Sequence, residues 1–203
     1  MTHSADYDAG LFDAAPTVRP DATLSEDGLY RYDLTRFWCD PGAFLQRPAT
    51  FVMLNPSTAD ALKDDPTIQR CMKFARSWGL DGIRVVNLYA FRTSQPSVLW
   101  EALAGGINIV GPENERTLGR ALFSARNLRT PVIAAWGNHG AAGRVEWLAR
   151  EADRWGVELQ CLGTTQSGAP KHPLARGHHR IPDDFEPIPW TRVTSPGVGD
   201  ADA

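Results

Sequence analysis

Cysteine is scarce in this chain of 203 residues: Cys39, Cys71 and Cys161, odd in number and far apart. That argues against a disulfide framework and a four-cysteine zinc or iron–sulfur site, and for reduced thiols in a cytoplasm. No apolar run approaches ~20 residues, so no segment reads as a membrane-spanning helix. The opening MTHSADYDAGLFDAAP lacks a basic region followed by an apolar stretch, so no secretory signal is read there. Also missing are GxGxxG, GxxxxGK[ST], GxSxG and HExxH, which removes dinucleotide, P-loop, hydrolase-elbow and zincin readings. No cofactor or metal is expected.

What is present suits one globular domain. Hydrophobic residues make up 42%, enough for a single sizeable core. The formal net charge of −3 hides an uneven distribution. Residues 1–40 carry a net −5 and residues 183–203 a net −4, which leaves +6 over 41–182. Within that stretch KHPLARGHHR (171–180) has six potentially cationic residues and no acid. A basic segment between acidic ends is compatible with a polyanionic ligand, though equally with a plain solvated face.

The hydrophobic pattern alternates strands with helices. Residues 1–28 read as a disordered or extended arm, 29–186 as the folded domain and 187–203 as a disordered tail. LYRYDLTRFW (29–38) reads as an edge strand or hairpin arm, and ATFVML (49–54) as a strand buried on both faces. Asp65 and Pro66 open a helix with Ile68, Cys71, Met72 and Ala75 on one face. IRVVNLY (83–89), PVIAAW (131–136) and VELQCLG (157–163) are further buried strands. Between them lie a short helix from Pro96, one with the stripe Leu118, Ala121, Leu122 and Ala125, and one with Val145, Leu148, Ala149 and Ala152. The expected fold is α/β: three layers, with a small four-stranded parallel sheet covered on both faces.

Ligands in such folds gather at the carboxyl ends of the strands. That rule selects Asn55-Pro56-Ser57, Asn87, Trp136-Gly137-Asn138-His139 and the loop 163–173 with His172. The result is an uncharged set rich in hydrogen-bonding groups.

These strand-end motifs together resemble the uracil-DNA glycosylase superfamily. More closely, the chain resembles a bacterial and phage family, domain of unknown function 1643, over roughly residues 29–185. The likeness runs through YRYDLTRFW, VMLNPSTAD, DDPTIQRC, VVNLYAFR, VGPEN, AAWGNHG, LGTTQSG and KHPLA. It implies a uracil-DNA-glycosylase-like fold and a monofunctional base glycosylase. No lysine sits in the motifs at Asn55, Asn87 or Trp136 to form a Schiff base, and Lys171, beside His172, is read as a DNA contact. Cleavage of an N-glycosidic bond needs a flipped nucleotide, a polar group that places water, and a donor for the departing base.

Residue by residue, the resemblance gives Asn55 the water-orienting position, with Asp60, Asp64 and Asp65 as nearby candidates for a carboxylate. His172 takes the position of the donor to the base, and Leu174 that of the wedge. Asn87 takes the position that reads the base edge, its amide presenting donor and acceptor together. Phe74, Trp78, Tyr89 and Phe91 are candidates to stack on the base. Lys171, Arg176, His178, His179 and Arg180 are the expected DNA contacts, with Asn138 and His139 after strand three. One departure is informative. Ser57 stands where the uracil-specific enzymes carry a tyrosine that blocks the pyrimidine 5-position. The resemblance and Ser57 together imply a pocket for a pyrimidine with a bulky polar 5-substituent, such as 5-hydroxymethyl- or glucosylated cytosine in phage DNA, and a role in antiviral defence. The expected partner is double-stranded DNA, with no membrane and no obligate protein partner. Two other readings stay open: a non-catalytic module that binds modified DNA, because Asn55 replaces an acid, and a hydrolase of free nucleosides or nucleotides.

Overall fold

The protein is described from a computed structural model over residues 18–39, 45–57 and 64–191. Its strands are β1 (Arg19–Leu24), β2 (Arg31–Phe37), β3 (Pro48–Met53), β4 (Gly82–Asn87), β5 (Val132–Ala134), β6 (Leu159–Cys161) and β7 (Ile188–Pro189). The α-helices are α1 (Pro66–Ser77), α2 (Pro96–Ala104), α3 (Asn114–Leu128) and α4 (Ala142–Trp155).

Every residue of β3 is buried, and its neighbours in sequence face opposite ways. Phe51 and Met53 join Ile68, Cys71 and Phe74 of α1 on one face. Val52 joins Leu118 and Leu122 of α3 and Leu148 of α4 on the other. A strand that serves two cores must be apolar throughout, which is why 49–54 is a continuous run rather than an alternating one. Each large side chain so buried contributes roughly 1.5–3 kcal/mol. The stripes of α1 and α3 are buried as their spacing requires.

The sheet departs from expectation. It has seven strands in the order β1-β2-β4-β3-β5-β6-β7, not four. The four expected strands β4, β3, β5 and β6 are mutually parallel. Antiparallel β2 and β1 extend one edge and antiparallel β7 the other. β2 is therefore an interior strand. Arg19–Leu24 and Ile188–Pro189 belong to the sheet rather than to an arm or tail. The reason is physical: β1 is the outermost strand and mostly exposed, so RPDATL carries no apolar alternation and its pairing comes from β2. β7 is two residues long, too short to leave a pattern.

Connectivity positions the site. From β3 the chain passes into α1 on one face, whereas β4 and β5 feed helices on the other. Loops that diverge to opposite faces from adjacent strands leave a crevice at their carboxyl ends. Here the crevice opens above β3.

Candidate functional site

A cleft of about 350 Å³ fills that crevice. Its walls come from the ends of β3 (Asn55, Ser57), β4 (Asn87) and β5 (Trp136, His139), from the start of α1 (Asp65), and from the loop after β6 (His172). The volume falls within the range of about 300–1,000 Å³ usual for small-ligand sites. A larger cavity, about 480 Å³, lies at the opposite end of the sheet among Arg47, Trp78, Arg126 and Glu158. The strand-end rule and the convergence of buried polar groups favour the crevice.

Asn55 is held by its donors. Its Nδ2 donates to the Thr93 carbonyl at 2.7 Å and to that of Pro56 at 3.2 Å, while the Thr93 amide donates to the Pro56 carbonyl at 2.9 Å. Both amide hydrogens are thus used on main chain. Its Oδ1 is left as the acceptor for a ligand. Asn87 is 2% exposed and lines the cleft, yet its amide makes no hydrogen bond among the described residues. An amide that opens into the cleft without a protein partner can pair with water or with a ligand.

His172 is oriented by the turn that follows it. The Leu174 amide donates to its Nδ1 at 3.2 Å, so the neutral ring carries its proton on Nε2. Burial pushes its pKa below 6.5, against an opposing pull from the Asp65 carboxylate. The unfolded chain therefore takes up a proton near pH 6.5 that the native cleft resists. Native stability is expected to fall as pH drops below 6.5 toward the lower native value. His172→Gln should remove that part of the slope. Denaturant melts over a pH series would show it, and identical slopes in both proteins would refute it.

Asp65 does two things. One oxygen accepts the Ile68 amide at 2.9 Å, capping α1, and the other accepts from Ser57 Oγ at 3.3 Å. Among the described residues lining the cleft it is the one carboxylate. Asp64 instead pairs with buried Arg36 at 2.6 Å and is not a wall of the cleft. Asp60 lies outside the described residues.

Two expected stackers are corrected. Phe74 is fully buried beneath Trp78, with ring centroids 5.8 Å apart, because its position on α1 points into the core. Tyr89 is 4% exposed and packs edge-on to Trp100. Neither lines the cleft; the aromatic that does is Trp136, braced edge-on by Trp190 at 5.0 Å.

Beside the cleft and sharing Gly137, His139 and His172 with it runs a shelf of about 490 Å³. Asn138, Thr165, Ser167, Lys171, Arg176 and His179 line it, and among the described residues no acid does. Asn138 Oδ1 accepts from Thr165 Oγ1 at 2.8 Å and from Ser167 Oγ at 3.1 Å. The Gly137 amide donates to the Pro170 carbonyl at 3.0 Å, and the positive φ of Gly137, 67°, makes that turn accessible at no steric cost. Leu174, Arg176 and Arg180 line a further groove with Arg70, while exposed His178 lies against His179 with the rings tilted by 46° and lines neither cavity. Among the described residues no group of three or more His, Cys, Asp and Glu side chains converges to hold a metal, and no helix is long and apolar enough to cross a membrane.

Sequence reasoning missed Arg31. It begins β2, which runs antiparallel to β4, so its start arrives where β4 ends; the Arg31 amide donates to the Ala90 carbonyl at 3.0 Å. The side chain is 5% exposed and lines the cleft, and its Nε is buried without a partner. Burial above all, and then nearby Arg92, lowers its pKa to about 10, with Asp65 opposing, so it stays cationic at neutral pH. An arginine inside YRYDLTRFW was visible, but only the antiparallel pairing brings it to the site.

Comparison with known proteins finds a family. The family described as Protein of unknown function (DUF1643) matches residues 31–174, which spans every wall of the cleft and stops short of Arg176, His178, His179 and Arg180. No curated protein and no solved structure matches the chain.

Proposed function

The chain belongs to the DUF1643 family, and from the site of this member we propose a DNA base glycosylase of the uracil-DNA glycosylase kind, acting on a flipped-out modified pyrimidine. The observation that carries the reading is the meeting of Asn55, Asn87, Asp65 and His172 in one cleft beside an acid-free basic shelf. The cleft takes the base and the shelf takes the flanking phosphates.

The chemistry follows from the groups. Asn87 offers donor and acceptor to the base edge. Trp136 supplies an aromatic wall. As the bond from C1′ to the base nitrogen breaks, its electron pair goes to the base, and the Nε2–H of neutral His172 donates to the oxygen where charge grows. Asn55 Oδ1 accepts one hydrogen of the attacking water, and Asp65 takes the proton released when that oxygen bonds to C1′. The base, protonated from solvent, leaves an abasic site. Ser57 turns its hydroxyl to Asp65 and leaves room for a 5-substituent. Such an activity against phage DNA would serve defence.

The test is incubation with duplexes carrying 5-hydroxymethylcytosine, glucosylated cytosine or uracil, with abasic sites counted by an aldehyde-reactive probe. Release of a modified base is expected, with His172→Ala slower by about 10²–10³-fold and Asn55→Ala also impaired. Exclusive release of uracil would defeat the modified-base reading. Binding without abasic sites would favour a recognition module, and equal turnover of a free nucleoside a nucleoside hydrolase.

A further inference from the structure

We propose that Arg31 is an anion-binding residue of the cleft, and that the ligand presents to it a planar monoanion with adjacent acceptor atoms. Such an edge belongs either to a carboxylate on the base or to the ring of a deprotonated pyrimidine. The inference rests on the reading of the cleft as a pyrimidine pocket and names the charge that the pocket selects.

A guanidinium has five donors and no acceptor, and its removal from water without a partner is expensive. Other buried arginines here meet that cost inside the protein. Arg36 pairs with Asp64 at 2.6 Å. Arg144 pairs with Glu115 at 2.6 Å and donates to the Leu88 carbonyl at 2.8 Å. Arg31 is as deeply buried, yet it makes no ion pair and no side-chain hydrogen bond among the described residues. Asp65 favours the charge of Arg31 through space but makes no ion pair with it, its oxygens accepting from the Ile68 amide and Ser57. A buried cation that lines a cavity and lacks an internal partner is completed by what enters the cavity.

The neighbours narrow the partner. Asn87, which makes no side-chain hydrogen bond among the described residues, shares the cleft and offers a ligand both donor and acceptor. Arg31 requires acceptors alone. One planar heterocycle with an amide-like edge and an anionic edge satisfies both. A nucleobase that leaves as an anion acquires such an edge at the moment of bond cleavage, which would make Arg31 worth more in the transition state than in the ground state.

Three pyrimidines separate the cases near neutral pH: neutral uracil, 5-carboxyuracil with a carboxylate, and 5-nitrouracil, whose acidic ring is deprotonated. Affinity is read by calorimetry and by thermal shift on the full chain, with Arg31→Met (charge removed, stem kept) and Arg31→Lys (charge kept). At least one anionic pyrimidine is expected to bind wild type about tenfold or more tighter than uracil. A preference for 5-carboxyuracil points to a carboxylated substrate, and one for 5-nitrouracil to the anionic leaving group. Arg31→Met should erase the preference and Arg31→Lys should keep part of it. Without ligand, Arg31→Met should unfold at the same or a higher temperature than wild type, because an unpaired buried charge has gone; a merely structural arginine would give the reverse. Should Arg31→Met not fold, Arg31→Gln replaces it. Equal affinity for all three pyrimidines overturns the inference but keeps the pyrimidine pocket. Stabilisation by acetate through Arg31, with no pyrimidine bound, keeps the anion site and removes the base reading. Binding of none of these probes overturns both.

Discussion

Asp65→Asn should fold normally and lose about 10²–10⁴-fold in base release, the range for a positioned general base. The substitution separates the two jobs of this residue. Asparagine caps a helix as well as aspartate does, so the bond to the Ile68 amide can survive and α1 should keep its start. What disappears is the carboxylate that lines the cleft and opposes the charge of Arg31. Asp65→Ala would confuse the result, because loss of the cap alone costs about 0.5–2 kcal/mol. The measurement is single-turnover release from the preferred duplex, with far-ultraviolet circular dichroism and a denaturant melt on the same sample. Turnover within about twofold of wild type would remove Asp65 from the chemistry and return the water-activating role to Asn55 and Asp60. The converse change, Asn55→Asp, should not rescue activity. It would turn a carboxylate oxygen toward the Thr93 and Pro56 carbonyls that now accept from Nδ2.

The largest effect on stability should come from Asp64→Ala, at about 3 kcal/mol, the low end of the range for removing one partner of a buried ion pair. Arg36 is fully buried in β2, and its Nε donates to Asp64 Oδ1 at 2.6 Å. Its Nη1 also donates to the Thr35 carbonyl at 2.8 Å. Loss of the carboxylate removes one charged partner of a cation in the low-dielectric core, which its remaining contacts offset only in part. The side chain of Asp64 is 25% exposed, so water reaches the pair and moderates the loss. Adding Arg36→Met to Asp64→Ala should recover most of it, since the stranded charge is then gone. Denaturant titration of the two single variants and the double variant measures the coupling. A loss under about 0.5 kcal/mol for Asp64→Ala, the usual size of a surface effect, would show that the pair is decorative.

Particular residues show what was legible in the chain. Ile68, Cys71, Met72 and Ala75 are buried as their spacing requires, because a helix face is a local property. Asn55, Ser57, Asn87, His139 and His172 do share one cleft, because short buried strands that alternate with helices force a parallel sheet whose carboxyl ends coincide. Phe74 was misjudged for the opposite reason. It sits next to Ala75 of the buried stripe, but whether it packs under Trp78 or reaches the cleft depends on how α1 lies on the sheet, which is not a local property. Trp136 was seen as a strand-end residue but not as the aromatic wall, since its contact with Trp190 joins two segments more than fifty residues apart.

The sequence alone determined the four parallel strands, their helices and the polar character of the strand ends, since hydrophobic period and capping chemistry act within a few residues. Only the tertiary structure decided that the sheet has seven strands, that Asp64 serves Arg36 while Asp65 faces the cleft, and that Arg31 stands unpaired beside it. Antiparallel partners and charge pairing depend on which distant segments meet, and burial turns a pair of otherwise similar ionic groups into one structural bridge and one open site.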